Sequence, residues 1–229
     1  MTNQIQSQSV LTQKHYWDKF YQDELKLYNE LGIRGEEWFD IYIESIIQWI
    51  KSIESINSKS LLLDIGCGNG MFLIDLVRAI NLEKAVGIDY ISSAIELAKK
   101  IVNEEQLSSK IELYPIDLLS GHLVSNKINF KNKEIYKDIG IFDVIVDKGT
   151  YDVFVMKNET IKYRQSILRY LKSESILIIT SCNSTPDELI EEFTSNSKFT
   201  VLSNLRHKTF SYSGSQGQVL ASVAFKYCE

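Results

Sequence analysis

Between positions 61 and 71 the chain reads Leu-Leu-Leu-Asp-Ile-Gly-Cys-Gly-Asn-Gly-Met, a buried strand running into a glycine turn that opens a helix. Gly66, Gly68 and Gly70 let backbone approach a ligand closely, and their spacing discriminates among ligands. Dinucleotide folds use GxGxxG with a helix N-terminus on pyrophosphate, and triphosphate loops use GxxxxGK[ST]. Here the spacing is GxGxG, with Asp64 two positions before the first glycine. A carboxylate beside the turn suits a cationic ligand bearing an amino group better than a pyrophosphate. Asp89 ends the next apolar run, where an acid accepts both hydroxyls of a ribose. It also stands where it would cap the helix that starts at Ser92. Asp117 follows a third run and can accept from an exocyclic amine such as that of adenine. Asp147 ends Phe142-Asp143-Val144-Ile145-Val146, at the switch point of a doubly wound sheet, where it can face a ligand ammonium or a substrate amine. Lys148 and Asp152 just beyond read most simply as a solvated loop pair.

These residues need strands and helices to bring them together, and the apolar pattern supplies them. Strands are expected at 61–65, 85–88, 111–115, 142–146 and 175–180, with helices at 70–79, 92–102 and 160–171. Pro186 opens a further helix whose stripe is Leu189, Ile190 and Phe193. Two closing strands, 199–205 and 219–227, have no helix between them and should pair antiparallel at one edge. The fold class is therefore α/β, a doubly wound, mostly parallel sheet of seven strands with an antiparallel C-terminal hairpin. Upstream, residues 1–13 are polar and read as a loose tail. Residues 14–58 form a helical, aromatic cap carrying Tyr16, Trp17, Phe20, Tyr21, Trp38 and Phe39. Within the cap, Ile43, Ile46, Ile47, Ile50 and Ile53 predict an amphipathic helix over 40–56. Residues 120–140 read as an insert whose Lys127, Lys131, Lys133 and Lys137 offer a docking surface, and 210–218 as a Gly/Ser-rich loop. One domain, 14–229, is expected.

Composition narrows the class. The 229 residues are 44% hydrophobic with a net charge of −5, enough for a core and unfavourable for a binder of nucleic acid driven by counterion release. No apolar run reaches the length of a membrane span, and the start lacks the basic-then-apolar pattern of a secretory leader. The three cysteines are scattered, with no metal-ligand spacing, and read as reduced intracellular thiols. His15, His122 and His207 show no triad or metal spacing, and no metal is expected.

Taken together, Asp64 with GxGxG, Asp89, Asp117 and Phe142-Asp143-Val144-Ile145-Val146-Asp147-Lys148-Gly149-Thr150-Tyr151-Asp152 resemble the Rossmann-like, seven-strand S-adenosylmethionine-dependent methyltransferases. Tyr16-Trp17-Asp18-Lys19-Phe20-Tyr21, Gly35-Glu36-Glu37-Trp38-Phe39, the Asp147–Asp152 segment and Thr180-Ser181-Cys182-Asn183 are similar to the lysine methyltransferases of translation elongation factor 1-alpha. The resemblance implies S-adenosylmethionine as cofactor and a cytoplasmic enzyme, with the nucleus as a further compartment. It places Asp64, Gly66, Gly68 and Gly70 around the methionine and ribose, with Cys67 in the same turn. Asp89 would hold the ribose hydroxyls, Tyr90 and Ile91 would flank adenine, and Asp117 and Leu118 would read its edge. Asp147 would line the sulfonium end, Trp38 would close over it, and Lys148, Gly149, Thr150 and Tyr151 would border the substrate entrance. The chain departs in its longer 120–140 segment and in lacking a glycine after Trp38-Phe39.

Two other readings compete. A methyltransferase for another protein or a small molecule would share the cofactor half, and a binding module without turnover would show a damaged glycine turn or ribose acid. Neither is damaged here. A methyltransferase of bases would carry an NPPY-type motif where this chain has Asp147-Lys148-Gly149-Thr150. The aromatics of the cap read as packing rather than substrate contacts, and Cys67 and Cys182 as small hydrophobes.

Overall fold

A computed structural model describes residues 9–121, 139–195, 198–207, 209–212, 215–218 and 220–229. Four parallel strands form its centre: β1 (Leu62–Ile65), β2 (Ala85–Asp89), β3 (Ile111–Pro115) and β4 (Phe142–Lys148). They are joined by β5 (Leu171–Ser181), parallel to β4, and by the antiparallel β9 (Ala221–Tyr227) and β6 (Phe199–Leu205). Among the described residues the sheet has seven strands in the order β3-β2-β1-β4-β5-β9-β6. The order reverses between β1 and β4, so the switch point lies where Asp147 was expected to end a strand.

Every residue of β1 and β2 is buried, as parallel strands covered on both faces must be. Two apolar clusters mark those faces. One joins α2 (Asp40–Lys51), α3 (Met71–Ile80) and α4 (Ser92–Glu104) to Leu62, Val144 and Ile178. The other joins α5 (Thr150–Met156), α6 (Thr160–Ile167) and α7 (Pro186–Thr194) to Leu63, Ile145 and Ile179. Alternate residues of each strand serve alternate faces, which fixes the register. The start of α7 is a full capping box, with Thr185 accepting the Glu188 N–H and Glu188 accepting the Thr185 N–H.

Several boundaries differ from the sequence reading for local reasons. The helix expected over 40–56 stops at Lys51, and Ile53 and Ile56 stay buried in turns rather than on a helical face. Leu171 belongs to β5, because a short 3-10 turn (Leu168–Tyr170) ends the helix that was expected to run through it. The stretch after Lys148 is not a loop: Gly149, at φ +90°, caps α5 directly. The Gly/Ser-rich segment forms a separate two-stranded ribbon, β7 (Thr209–Tyr212) with β8 (Ser215–Gln218). From Ser9 the polar tail is structured: Val10–Thr12 forms a 3-10 turn, Thr12 is buried, and Trp17 Nε1 donates to the Leu11 carbonyl at 2.8 Å. Residues 1–8 and the four lysines of the insert lie outside the described residues.

In the cap, α1 (Lys14–Leu31) contains no fully buried residue and packs against α4. It ends at Gly32 in the left-handed conformation. Residues 34–39 then run as a strap over the carboxyl end of the sheet, and Phe39 enters α2 with φ +64°.

Candidate active site

A cavity of about 190 Å³ opens at the carboxyl ends of β1, β2 and β4. Its wall at the glycine turn is Ile65, Gly66, Cys67, Gly68 and Asn69. The turn is anchored on the neighbouring strand, since Gly66 and Cys67 both donate their N–H to the Ile88 carbonyl, at 2.7 and 3.0 Å. Gly66 and Gly68 have φ +69° and +53°. A Cβ on Gly66 would collide with the Thr150 side chain, and one on Gly68 would lie 2.4 Å from the Tyr21 hydroxyl. Only glycine fits such a cradle.

Asp89 lines the cavity with its carboxylate only 7% exposed. Oδ2 accepts the Gly68 N–H at 3.1 Å and Oδ1 the Ile91 N–H at 2.8 Å. One bond per oxygen leaves acceptor capacity on both, the requirement for gripping a vicinal diol. Burial raises its pKa to about 6, against the pull of the Ile91, Gly68 and Tyr90 backbone groups. Beyond it, Tyr90, Ile91, Ile116, Asp117 and Leu118 make a flat apolar slot edged by a carboxylate. Asp117 accepts the Leu119 N–H at 3.0 Å.

At the other end the wall is the cap. Trp17, Tyr21 and Trp38 line the cavity, with the Trp17 and Trp38 rings 5.2 Å apart. Glu36 and Glu37 stand beside them. Burial, with Asp89 nearby, pushes the Tyr21 phenol well above its ordinary value, so it stays a neutral donor. Lys148 and Thr150 also line the cavity, with Lys148 paired to Glu37 at 2.6 Å and Thr150 donating to the Ile65 carbonyl at 3.1 Å.

Four expected site residues do not line the cavity. Asp147 is 1% exposed and accepts the Tyr151 N–H at 3.0 Å and the Tyr163 hydroxyl at 2.7 Å. It pins α5 and α6 to the end of β4, and burial raises its pKa to about 7. Tyr151 packs into the opposite face against Tyr163 and Phe193, with ring centroids 5.1 and 5.6 Å away. Asp147 alternates with Ile145 onto that face of the sheet, and in α5, with only Gly149 between it and β4, Thr150 turns to the cavity and Tyr151 away. Gly70, at φ +79°, caps α3, and a Cβ there would crowd Ala98 of α4 at 3.1 Å. Asp64 lies beneath the turn, 2% exposed, where burial lifts its pKa to about 8 against the opposing charge of Lys148.

The solvated pair expected at Lys148 and Asp152 is neither. Lys148 is only 10% exposed. Asp152 is buried and receives the Ser181 hydroxyl and the N–H groups of Cys182 (3.1 Å) and Asn183 (3.2 Å). Two sequence signals far apart in the chain are thus one junction. Cys67 packs its thiol over Gly87 while its backbone faces the cavity. Sequence reasoning took Trp17 and Tyr21 for packing and did not single out Asn69. A helix with aromatics at four-residue spacing but no full apolar stripe was the available signal for a helix laid over a site.

Strand order, switch-point cavity, glycine cradle and a strand-end acid facing the cavity together define a Rossmann-like methyltransferase fold. Solved structures agree on that fold. The N-methyltransferase NodS of Bradyrhizobium japonicum, in complex with S-adenosyl-L-homocysteine, superposes with TM-score 0.62 at 14% identity, covering 93% of this chain and 99% of that one. Magnesium protoporphyrin IX methyltransferase of Synechocystis, with bound SAM, gives 0.56 at 13% identity, covering 90% of this chain and 96% of that one. The methyltransferase-domain family model matches residues 56–221. Human EEF1A lysine methyltransferase 2 is 32% identical over 95% of this chain and 87% of its own length. The protein-lysine N-methyltransferase efm4 of Schizosaccharomyces pombe is 31% identical over 96% and 94%. The chain belongs to the methyltransferase-domain family and, within it, to the group of these two relatives; it is an enzyme of methyl transfer.

Proposed function

We propose that this enzyme is an S-adenosylmethionine-dependent protein-lysine N-methyltransferase whose substrate is translation elongation factor 1-alpha. The observation that carries it is the cavity itself, with Asp89 set for a ribose beside an apolar slot, in a chain about one-third identical to enzymes named for that substrate. The residues fit the cofactor: Asp89 would hold its ribose, Gly66 and Gly68 would face its amino-acid half, and Asp117 and Leu118 would edge the adenine. When bound, the cofactor supplies an electrophilic methyl group on a sulfonium.

The chain's own task is to present a neutral amine in line with that methyl and to exclude water. Neutralising a free lysine at pH 7.4 costs about 4 kcal/mol. Walls of Trp17, Tyr21 and Trp38 lower that cost by desolvating the ammonium, while Glu36 at the mouth attracts it. Asp147, expected to guide the amine, lies buried outside the cavity lining and accepts from Tyr151 and Tyr163. Such a substrate places the reaction in the cytoplasm, which suits three free cysteines.

The test is mass spectrometry of purified elongation factor 1-alpha after incubation with the enzyme and labelled cofactor, beside free lysine and short peptides. Methyl groups on lysine of the intact factor, with the small amines poor substrates, are expected, because remote contacts align the amine. An unmodified factor alongside an efficiently methylated small amine or phenol would overturn the substrate and leave the cofactor site standing.

A further inference from the structure

Lys148 sits among groups that methyl transfer does not need. Its ammonium is 2.6 Å from Glu37 Oε1 and donates to the Trp38 carbonyl at 3.0 Å. It also lies over the rings of Phe39 and Phe72, at 5.7 and 5.3 Å. Both ion-pair partners are nearly buried, at 10% and 16% exposure. Three consecutive strap residues therefore converge on one side chain at the end of β4. A second tether comes from the glycine turn, where the Asn69 amide donates to the carbonyls of Arg34 and Glu36, each at 3.2 Å. The strap needs such holding, because Phe39 adopts φ +64°, a conformation bulky residues enter only when their surroundings impose it. Gly149 supplies the φ +90° that starts α5 directly after the strand.

Resting on the proposed cofactor reading, we infer that Lys148 is a positioning residue that locks the 37–39 strap across the sheet and so sets Trp38 over the cofactor cavity. The Glu37 carboxylate and the Trp38 carbonyl take two of its three donors, and its charge is nearly buried against them. A group used this way acts through Trp38, on how tightly the cavity closes.

The experiment measures S-adenosylhomocysteine affinity by calorimetry and turnover on the protein substrate at saturating cofactor, in the full chain. Lys148→Met and Glu37→Gln should each weaken affinity about tenfold, the worth of a charge-assisted hydrogen bond, with any fall in turnover no larger than that of Trp38→Ala. Lys148→Arg should restore most of the affinity. Trp38→Ala should reproduce the loss alone and add little on top of either variant, since all three act through one contact. If Lys148→Met does not fold, the Glu37→Gln and Trp38→Ala pair carries the same cycle. Unchanged affinity with collapsed turnover, or losses that simply add, would overturn the positioning role. Absence of S-adenosylhomocysteine binding to the unaltered protein would instead overturn the cofactor reading on which it rests.

Discussion

Asp89 and Asp147 are both strand-end acids, and their partners assign them different work. Asp89 accepts one N–H from the glycine turn and one from Ile91 at the start of α4, and faces the cavity. Asp147 receives the Tyr151 N–H and the Tyr163 hydroxyl and faces the core. Asp89→Ala should therefore weaken S-adenosylmethionine binding by about 1.5–3 kcal/mol, the range for hydrogen bonds to a charged group. Calorimetric titration checks it, and unchanged affinity in a folded variant would remove the ribose contact. Nothing about the residue type separates the two acids in sequence. What separates them is the sheet face each takes: Asp147 shares the side of Ile145, under α5–α7, and Asp89 the side of Ala85.

At the scale of elements, α5 is the piece that the pattern of residues concealed. Its seven residues are too few to show a helical stripe, and its amphipathic sides are split between the cavity and the opposite core. Asp152 ties this helix to the turn after β5 by receiving the Ser181 hydroxyl and two backbone N–H groups. Asp152→Ala leaves those donors without their acceptor. The expected result is a loss of about 1–3 kcal/mol in denaturant unfolding, with any loss of activity following the unfolding. An equally stable variant would mean that the junction is held by packing alone. The cap follows a similar logic: it was legible as helical and aromatic, but the position of α1 over the cavity depends on α4 beneath it and on the strap that follows.

For the whole molecule, the buried acids predict how stability depends on pH. Burial raises Asp64 to about 8, Asp147 to about 7 and Asp89 to about 6. An unfolded aspartate titrates near 3.9, so between about pH 4 and 8 the folded state binds more protons than the unfolded one. Their contribution to stability is full below about pH 4 and is lost as pH rises through those folded values. His207, whose pKa burial lowers, acts in the opposite sense as a single group. The thermal midpoint of the ligand-free protein should fall from pH 5 to pH 8. Asp64→Asn should flatten the upper part of that slope. A midpoint that rises over this window would show that the three carboxylates are not protonated in the fold.

The sequence by itself determined the parallel strands, the glycine turn, the acids at strand ends and the antiparallel edge. Each of these is written in short-range periodicity or in a residue type with one conformational use, such as Gly66 at positive φ. Tertiary structure decided which of those residues meet. Strand pairing at the switch point put Asp89 and Thr150 on one cavity, while Asp147 on β4 and Tyr151 on α5 face away from it. It also brought Glu37 across more than a hundred residues to Lys148, which the sequence suggested was solvated and which is instead part of a nearly buried tether. A local pattern records which face a side chain takes, but not which distant segment will cover that face. That choice is made by the packing of whole elements, whose energy comes from contacts no short window of sequence contains.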